Sequence, residues 1–250
     1  MSPSVTNPTA MHAATPCPPK ESTPRSRFLS RALHATVLGL GALLMACAAP
    51  SVPGSAIDLS PAQQELASLR TIDDPAPGYQ RDAFGQRWSD DVEVDGGHNG
   101  CDTRNDVLRR DLKNLEIKKG THDCVAYAGD FVDPYSGQQV HFQRGRNGNA
   151  AEVHIDHVVA LANAWATGAH QWDDDHRRNF ANDPMNLLVT TKEMNKSKGA
   201  KDAAQWMPPN RDTWCTYART QVEVKKKYDL AVTDKERQAL SAALSSCPTP

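Results

Sequence analysis

The sequence predicts an α+β domain stapled by disulfides, and three observations carry that expectation. Residues 124–143 read as short strands around the turn Asp133-Pro134-Tyr135-Ser136-Gly137. Several other stretches combine helix-start chemistry with apolar residues at helical spacing. Four of the six cysteines, Cys101, Cys124, Cys215 and Cys247, fall in the part of the chain that carries these elements. With 250 residues, 39% of them hydrophobic, the chain is long enough for one buried core. Its 17 prolines and 15 glycines are too few for a fibrous or wholly disordered chain.

The first elements concern location rather than fold. Residues 1–24 are rich in Pro, Ser and Thr and lack apolar periodicity, so they are expected to be unstructured. Arg25, Arg27 and Arg31 precede an uncharged apolar run from Ala35 to Ala46. Those 12 residues are too short for a membrane-spanning helix, which needs about 20. A basic region, a short apolar run and a small-residue end mark a secretory signal over residues 1–46. Its close, Leu44-Met45-Ala46-Cys47, resembles the lipobox of bacterial lipoproteins. That resemblance implies a lipid on Cys47 and export to a bacterial cell envelope, or secretion if Cys47 stays unmodified. Residues 47–56 then read as a linker and 57–250 as the domain.

Without its leader the chain has 24 basic against 29 acidic residues, a net charge of −5. That argues against strong non-specific binding to a polyanion through overall charge. An even number of cysteines in an exported chain predicts two disulfides, with three connectivities open. Local pairing, Cys101–Cys124 and Cys215–Cys247, is expected because each pair brackets one compact segment. A four-cysteine zinc site is the rival, but no Cys-x-x-Cys pair is present.

Within the domain, Ser60-Pro61 and Gln63 form a capping box for a helix to about Arg70. Asp102–Leu115 is expected to be helical, with Val107, Leu108, Leu112 and Leu115 near one face. A glycine-rich turn over Arg144–Ala150, a strand over Val153–Asp156 and a short helix over Val158–Gly168 follow. Thr233 and Glu236 predict a capping box for a last helix ending near Cys247. Trp165, Trp172, Trp206 and Trp214 are expected in the core.

The chemistry concentrates between His154 and Gly199. Asp156-His157 at a strand end places a hard oxygen ligand beside a proton acceptor. Histidine's ordinary pKa of about 6.5 suits general-base work at neutral pH. Asp183-Pro184-Met185-Asn186-Leu187-Leu188 and Asn195-Lys196-Ser197-Lys198-Gly199 follow. The amide oxygen of Asn195 is a neutral ligand for a hard divalent cation. Residues 192–201 carry four lysines and one glutamate, a local excess of positive charge suited to phosphate.

Each piece alone is common on protein surfaces, but their order is not. Asp-His, then Asn-Leu, then Asn-x-x-Lys resembles the HNH nucleases with their ββα-metal motif. More particularly, it is similar to the secreted HNH endonucleases related to the C-terminal nuclease domain of modification-dependent restriction enzymes. Gly78-Tyr79-Gln80-Arg81, Cys101 through Leu108, Asp133 through Gly137, Ala204 through Pro209 and Cys215-x-Tyr217 extend the likeness.

The resemblance implies roles. His157 would be the general base, Asp156 and Asn195 the metal ligands, and Asn186 the brace of the loop between the strands. His154 alternates with Asp156 along the strand, which makes it a candidate supporting partner and not a catalytic residue. The 28 residues between His157 and Asn186 imply an inserted helical segment over Ala164–Asn179. Asn195 in place of a histidine favours Mg²⁺ or Mn²⁺ over zinc. Arg104, Arg178 and Lys198 are candidate phosphate contacts, as are the clusters at 192–201, Arg144/Arg146 and Lys225–Lys227. The implied activity is metal-dependent hydrolysis of nucleic acid, DNA before RNA, with little sequence preference and with 5′-phosphate and 3′-hydroxyl products. The rival reading is a non-catalytic envelope lipoprotein that keeps the fold for binding.

Overall fold

A computed structural model describes residues 59–248. The expected signal segment, the lipid acceptor Cys47 and the linker to residue 56 lie outside the described residues. The elements are α1 (Pro61–Ser68), α2 (Thr103–Asp111), β1 (Lys113–Ile117), β2 (Ala126–Val132), β3 (Gln139–Gln143), β4 (Val153–His157), α3 (Leu161–Thr167), α4 (Asp174–Asn182), β5 (Leu187–Thr191), α5 (Lys192–Lys198), α6 (Trp214–Lys227) and α7 (Asp234–Leu244). The mixture of helices and small antiparallel sheets is the α+β class that the sequence predicts.

Two sheets organise the chain. β1, β2 and β3 form an antiparallel meander, and β4 pairs with β5 as a separate antiparallel ribbon. The Asp133–Gly137 turn joins β2 to β3, with Gly137 at φ 76°, a conformation that favours glycine. Val153 and Ile155 of β4 and Leu187 and Val189 of β5 bury their side chains against α2 and the meander. The alternate positions of β4 are thereby turned toward α5, which packs across both strands of the ribbon.

Capping chemistry sets the helix starts. Ser60 and Gln63 close the box on α1, and Asp102 accepts the Asn105 N–H at 2.9 Å to start α2. α2 ends sooner than its apolar spacing suggests, because Leu112 turns extended and Asn114 takes φ 49°. Leu115 therefore lies in β1, where the chain pairs with β2 instead of making another helical turn. At α7, Thr233 caps the Glu236 N–H at 3.2 Å, but the reciprocal half of the box is missing. The Glu236 carboxylate is buried and faces the Lys225 ammonium at 3.1 Å. α7 ends at Leu244, so Cys247 lies just beyond it.

The two expected disulfides are formed, Cys101–Cys124 and Cys215–Cys247. The first ties the start of α2 to the approach of β2; the second ties α6 to the end of α7. The segment between His157 and Asn186 is helical, comprising α3, a 3₁₀ turn and α4. Trp206 and Trp214 pack on the core beneath α1, α6 and α7, and Trp165 and Trp172 on the core formed by α3 and α4.

Candidate active site

β4 delivers Asp156 and His157 to a cleft of about 230 Å³ that Asn195 also lines. His154 and Asp156 share one face of the strand, and Asn195 and Lys198, three residues apart, share one face of α5. The two faces meet. Asn195 Nδ2 lies 3.2 Å from His154 Nδ1, and Lys198 Nζ lies 3.0 Å from Asp156 Oδ2. With its Nδ2 turned to His154, the Asn195 oxygen remains as a ligand atom.

His157 is fixed from two sides. Its Nε2 lies 2.8 Å from the Ala181 carbonyl, and since a carbonyl only accepts, Nε2 carries the hydrogen. That leaves Nδ1 with the free lone pair. Trp88 stacks on the ring at 6.1 Å between centroids, nearly parallel at 9°. Burial lowers the His157 pKa to about 3, so the ring is neutral at physiological pH.

Asn186 is wholly buried between the strands of the ribbon. Its Oδ1 accepts the Val159 N–H at 2.8 Å and its Nδ2 donates to the Val159 carbonyl at 3.2 Å. This pair of bonds closes the loop leaving β4 at a fixed angle. Asp133, also buried, does the same for the other end. It accepts the Thr190 hydroxyl at 2.9 Å and the Thr191 N–H at 3.0 Å, where β5 becomes α5.

Asp156 is the most enclosed of the candidate ligands. The Tyr135 hydroxyl donates to it at 2.8 Å, and Lys198 also donates to the His157 carbonyl at 2.7 Å. Burial pushes the Asp156 carboxyl up, against the opposing pull of Lys198 and Tyr135. Among the described residues no three His, Cys, Asp or Glu side chains gather to hold a metal alone. A divalent cation at this cleft would rest on two oxygen donors, Asp156 and Asn195, with water and substrate oxygens completing its shell. That set suits a hard ion such as Mg²⁺ or Mn²⁺.

Each of the three cations expected at phosphate has partners within the fold. Lys198 is fully buried, its ammonium committed to Asp156 and His157. Arg104 donates to the Ala150 and Val153 carbonyls at 3.3 and 2.9 Å, holding the entry of β4. Arg178 donates to the Asp91 carbonyl at 2.9 Å and pairs with Asp175 at 3.1 Å. Of the wider clusters, Arg144 is bonded to Ala126 and Asn105, Lys225 to Asn163 and Glu236, and Lys227 to Asp183. Tyr135 and Trp88 reach the site without having been singled out from the sequence; Tyr135 falls in a block that extends the family likeness, which was the only signal for it.

A ribbon whose second strand runs straight into a helix, with Asp-His on the first strand and Asn on the helix, defines an HNH-like ββα core. The chain belongs to the family of the GmrSD restriction endonucleases' C-terminal domain, whose family model matches residues 102–243. It is 37% identical over 201 residues to a protein of Arthroderma benhamiae described as an uncharacterized secreted protein. That alignment covers 79% of this chain and 88% of the other. No solved structure matches the chain.

Proposed function

We propose that this protein is a metal-dependent endonuclease that hydrolyses phosphodiester bonds of nucleic acid, DNA before RNA, with little sequence preference. One observation carries the reading: His157 is held neutral, with Nδ1 as its free nitrogen, in the cleft that Asp156 and Asn195 share. His157 Nδ1 takes a proton from water as the water oxygen bonds to phosphorus. The P–O3′ bond breaks, the 3′ oxygen gains a proton from solvent, and a 5′ phosphate remains. Asp156 and Asn195 would hold a divalent cation, Mg²⁺ before Mn²⁺, which would supply stabilisation of negative charge at the phosphoryl group and the leaving oxygen. Asn186 keeps the loop beside the base fixed, and Trp88 keeps the ring plane fixed.

The two disulfides and the secreted relative support export. A lipid on Cys47 would hold the enzyme at a bacterial envelope; intact-mass measurement of the mature protein tests this. One observation favours the rival, non-catalytic reading. The Lys198 ammonium lies against both oxygens of Asp156, at 3.0 and 3.3 Å, as a built-in cation in place of a metal.

A magnesium titration of plasmid nicking separates the two. The enzyme reading expects nicking that EDTA abolishes. It also expects Asp156→Ala and Asn195→Ala each to need much more magnesium for half-maximal rate, since each removes one of few protein ligands. Binding of DNA with no nicking at any magnesium concentration would support the rival.

A further inference from the structure

Residues 79–88, which precede the 102–243 stretch matched by the family model, form a wall beside His157: Tyr79 and Arg81 line the cleft, and Arg81 to Trp88 line an adjoining depression. This wall is anchored firmly. Phe84 is buried against Phe180, with ring centroids 6.1 Å apart, and the Ala83 carbonyl accepts from Arg177 Nε at 2.9 Å. Upstream, the Pro77 carbonyl accepts the Trp165 indole N–H at 2.9 Å. Downstream, Trp88 stacks on His157.

Arg81 stands on this wall with its guanidinium unpaired among the described residues, as does that of Arg87 nearby, but only Arg81 also lines the cleft with Asp156 and Asn195. It is exposed and lines both depressions that meet at His157, one shared with Asp156 and Asn195, the other with Arg87 and Asn182. Arg104, Arg144, Arg177 and Arg178 all spend their guanidinium hydrogens on carbonyls or carboxylates. Arg81 has no hydrogen bond or ion pair among the described residues, not even with its neighbour Asp82. A fixed backbone, a free planar fork of donors and a cleft holding a proton acceptor suit a tetrahedral anion.

We propose that Arg81 contacts the scissile phosphate, donating from its guanidinium to a non-bridging oxygen and offsetting the negative charge that builds there as water attacks. This rests on the nuclease reading above. It also places substrate recognition partly on a segment outside the matched family domain. The bond-making and bond-breaking are those already given for His157; Arg81 adds charge stabilisation and position.

The test uses the full mature chain, a supercoiled plasmid with saturating Mg²⁺, and a fluorescent DNA duplex in EDTA. Arg81→Ala is expected to fold as wild type, because the guanidinium makes no bond that folding needs; melting temperature checks this. Its nicking rate should fall about 10²-fold, the scale of losing one donor to developing charge. In EDTA, the slope of log K against log salt should shrink by about 0.9, the share of one phosphate contact on a duplex. Arg81→Lys should restore the salt slope and only part of the rate, since it keeps the charge but not the fork. Arg219→Ala, on the far side of α6 beside Glu223, is the control and should change neither. An active wild type with Arg81→Ala equal to it in rate and salt slope would overturn the assignment and leave the nuclease reading intact. A wild type that neither nicks nor binds would overturn both.

Discussion

At the scale of residues, His157 carries a consequence for stability as well as for chemistry. Its pKa is lowered to about 3 in the folded chain by burial, against about 6.5 when unfolded. Between those values the unfolded state binds the proton and the folded state does not. The stabilisation is therefore whole above about pH 6.5 and is lost progressively as pH falls toward 3, by up to about 1.4 kcal/mol per pH unit. Urea unfolding of metal-free protein at pH 7 and pH 4.5 should give a larger loss for wild type than for His157→Asn. Equal losses would mean that the ring is not buried in neutral form. Asp156, His157, Asn186 and Asn195 were legible in the sequence because their identities and order are themselves the signal. Lys198 was not, since a lysine paired to an aspartate 42 residues away reads the same as one facing water. Tyr135 and Trp88 reach the site from distant loops, and no local periodicity marks them.

At the scale of elements, strands, caps and bridges were read more surely than helix ends. Capping side chains announce where α1, α2 and α7 begin. The end of α2 is set instead by the pairing of β1 with β2, which no window around Leu112 contains. Glu236 likewise has the right spacing for a capping box, yet burial beside Lys225 claims its carboxylate. Cys215–Cys247 closes a 32-residue separation and Cys101–Cys124 one of 23. A single Cys→Ser change in either pair should destabilise by about 2–5 kcal/mol, and changing both partners should cost about the same as one. Denaturant unfolding of the single and double variants checks this. A double variant twice as costly as a single one would mean that the thiols act separately, not as a bridge.

At the scale of the whole molecule, a net charge of −5 without the expected leader stands against the proposal that the cleft takes a polyanion. Several cations that composition suggested for phosphate are instead consumed inside the fold, holding β4, α5 and α6 in place. The positive charge left beside His157 is then local, with Arg81 lining the cleft and exposed Arg87 lining the adjoining depression. With so few contacts to phosphate, the proposed binding of nucleic acid should be weak and only shallowly dependent on salt, not broadly adhesive. The fold supplies the rest: three cores clamp the ribbon, α5 and the 79–88 wall around one histidine. The central claim is that this histidine activates water. It is tested most directly by comparing wild type and His157→Ala in single-turnover cleavage at saturating magnesium, with DNA affinity measured in parallel. The variant should lose at least about 10²-fold in rate while binding DNA as tightly as wild type; a variant that cleaves at the wild-type rate would contradict the claim.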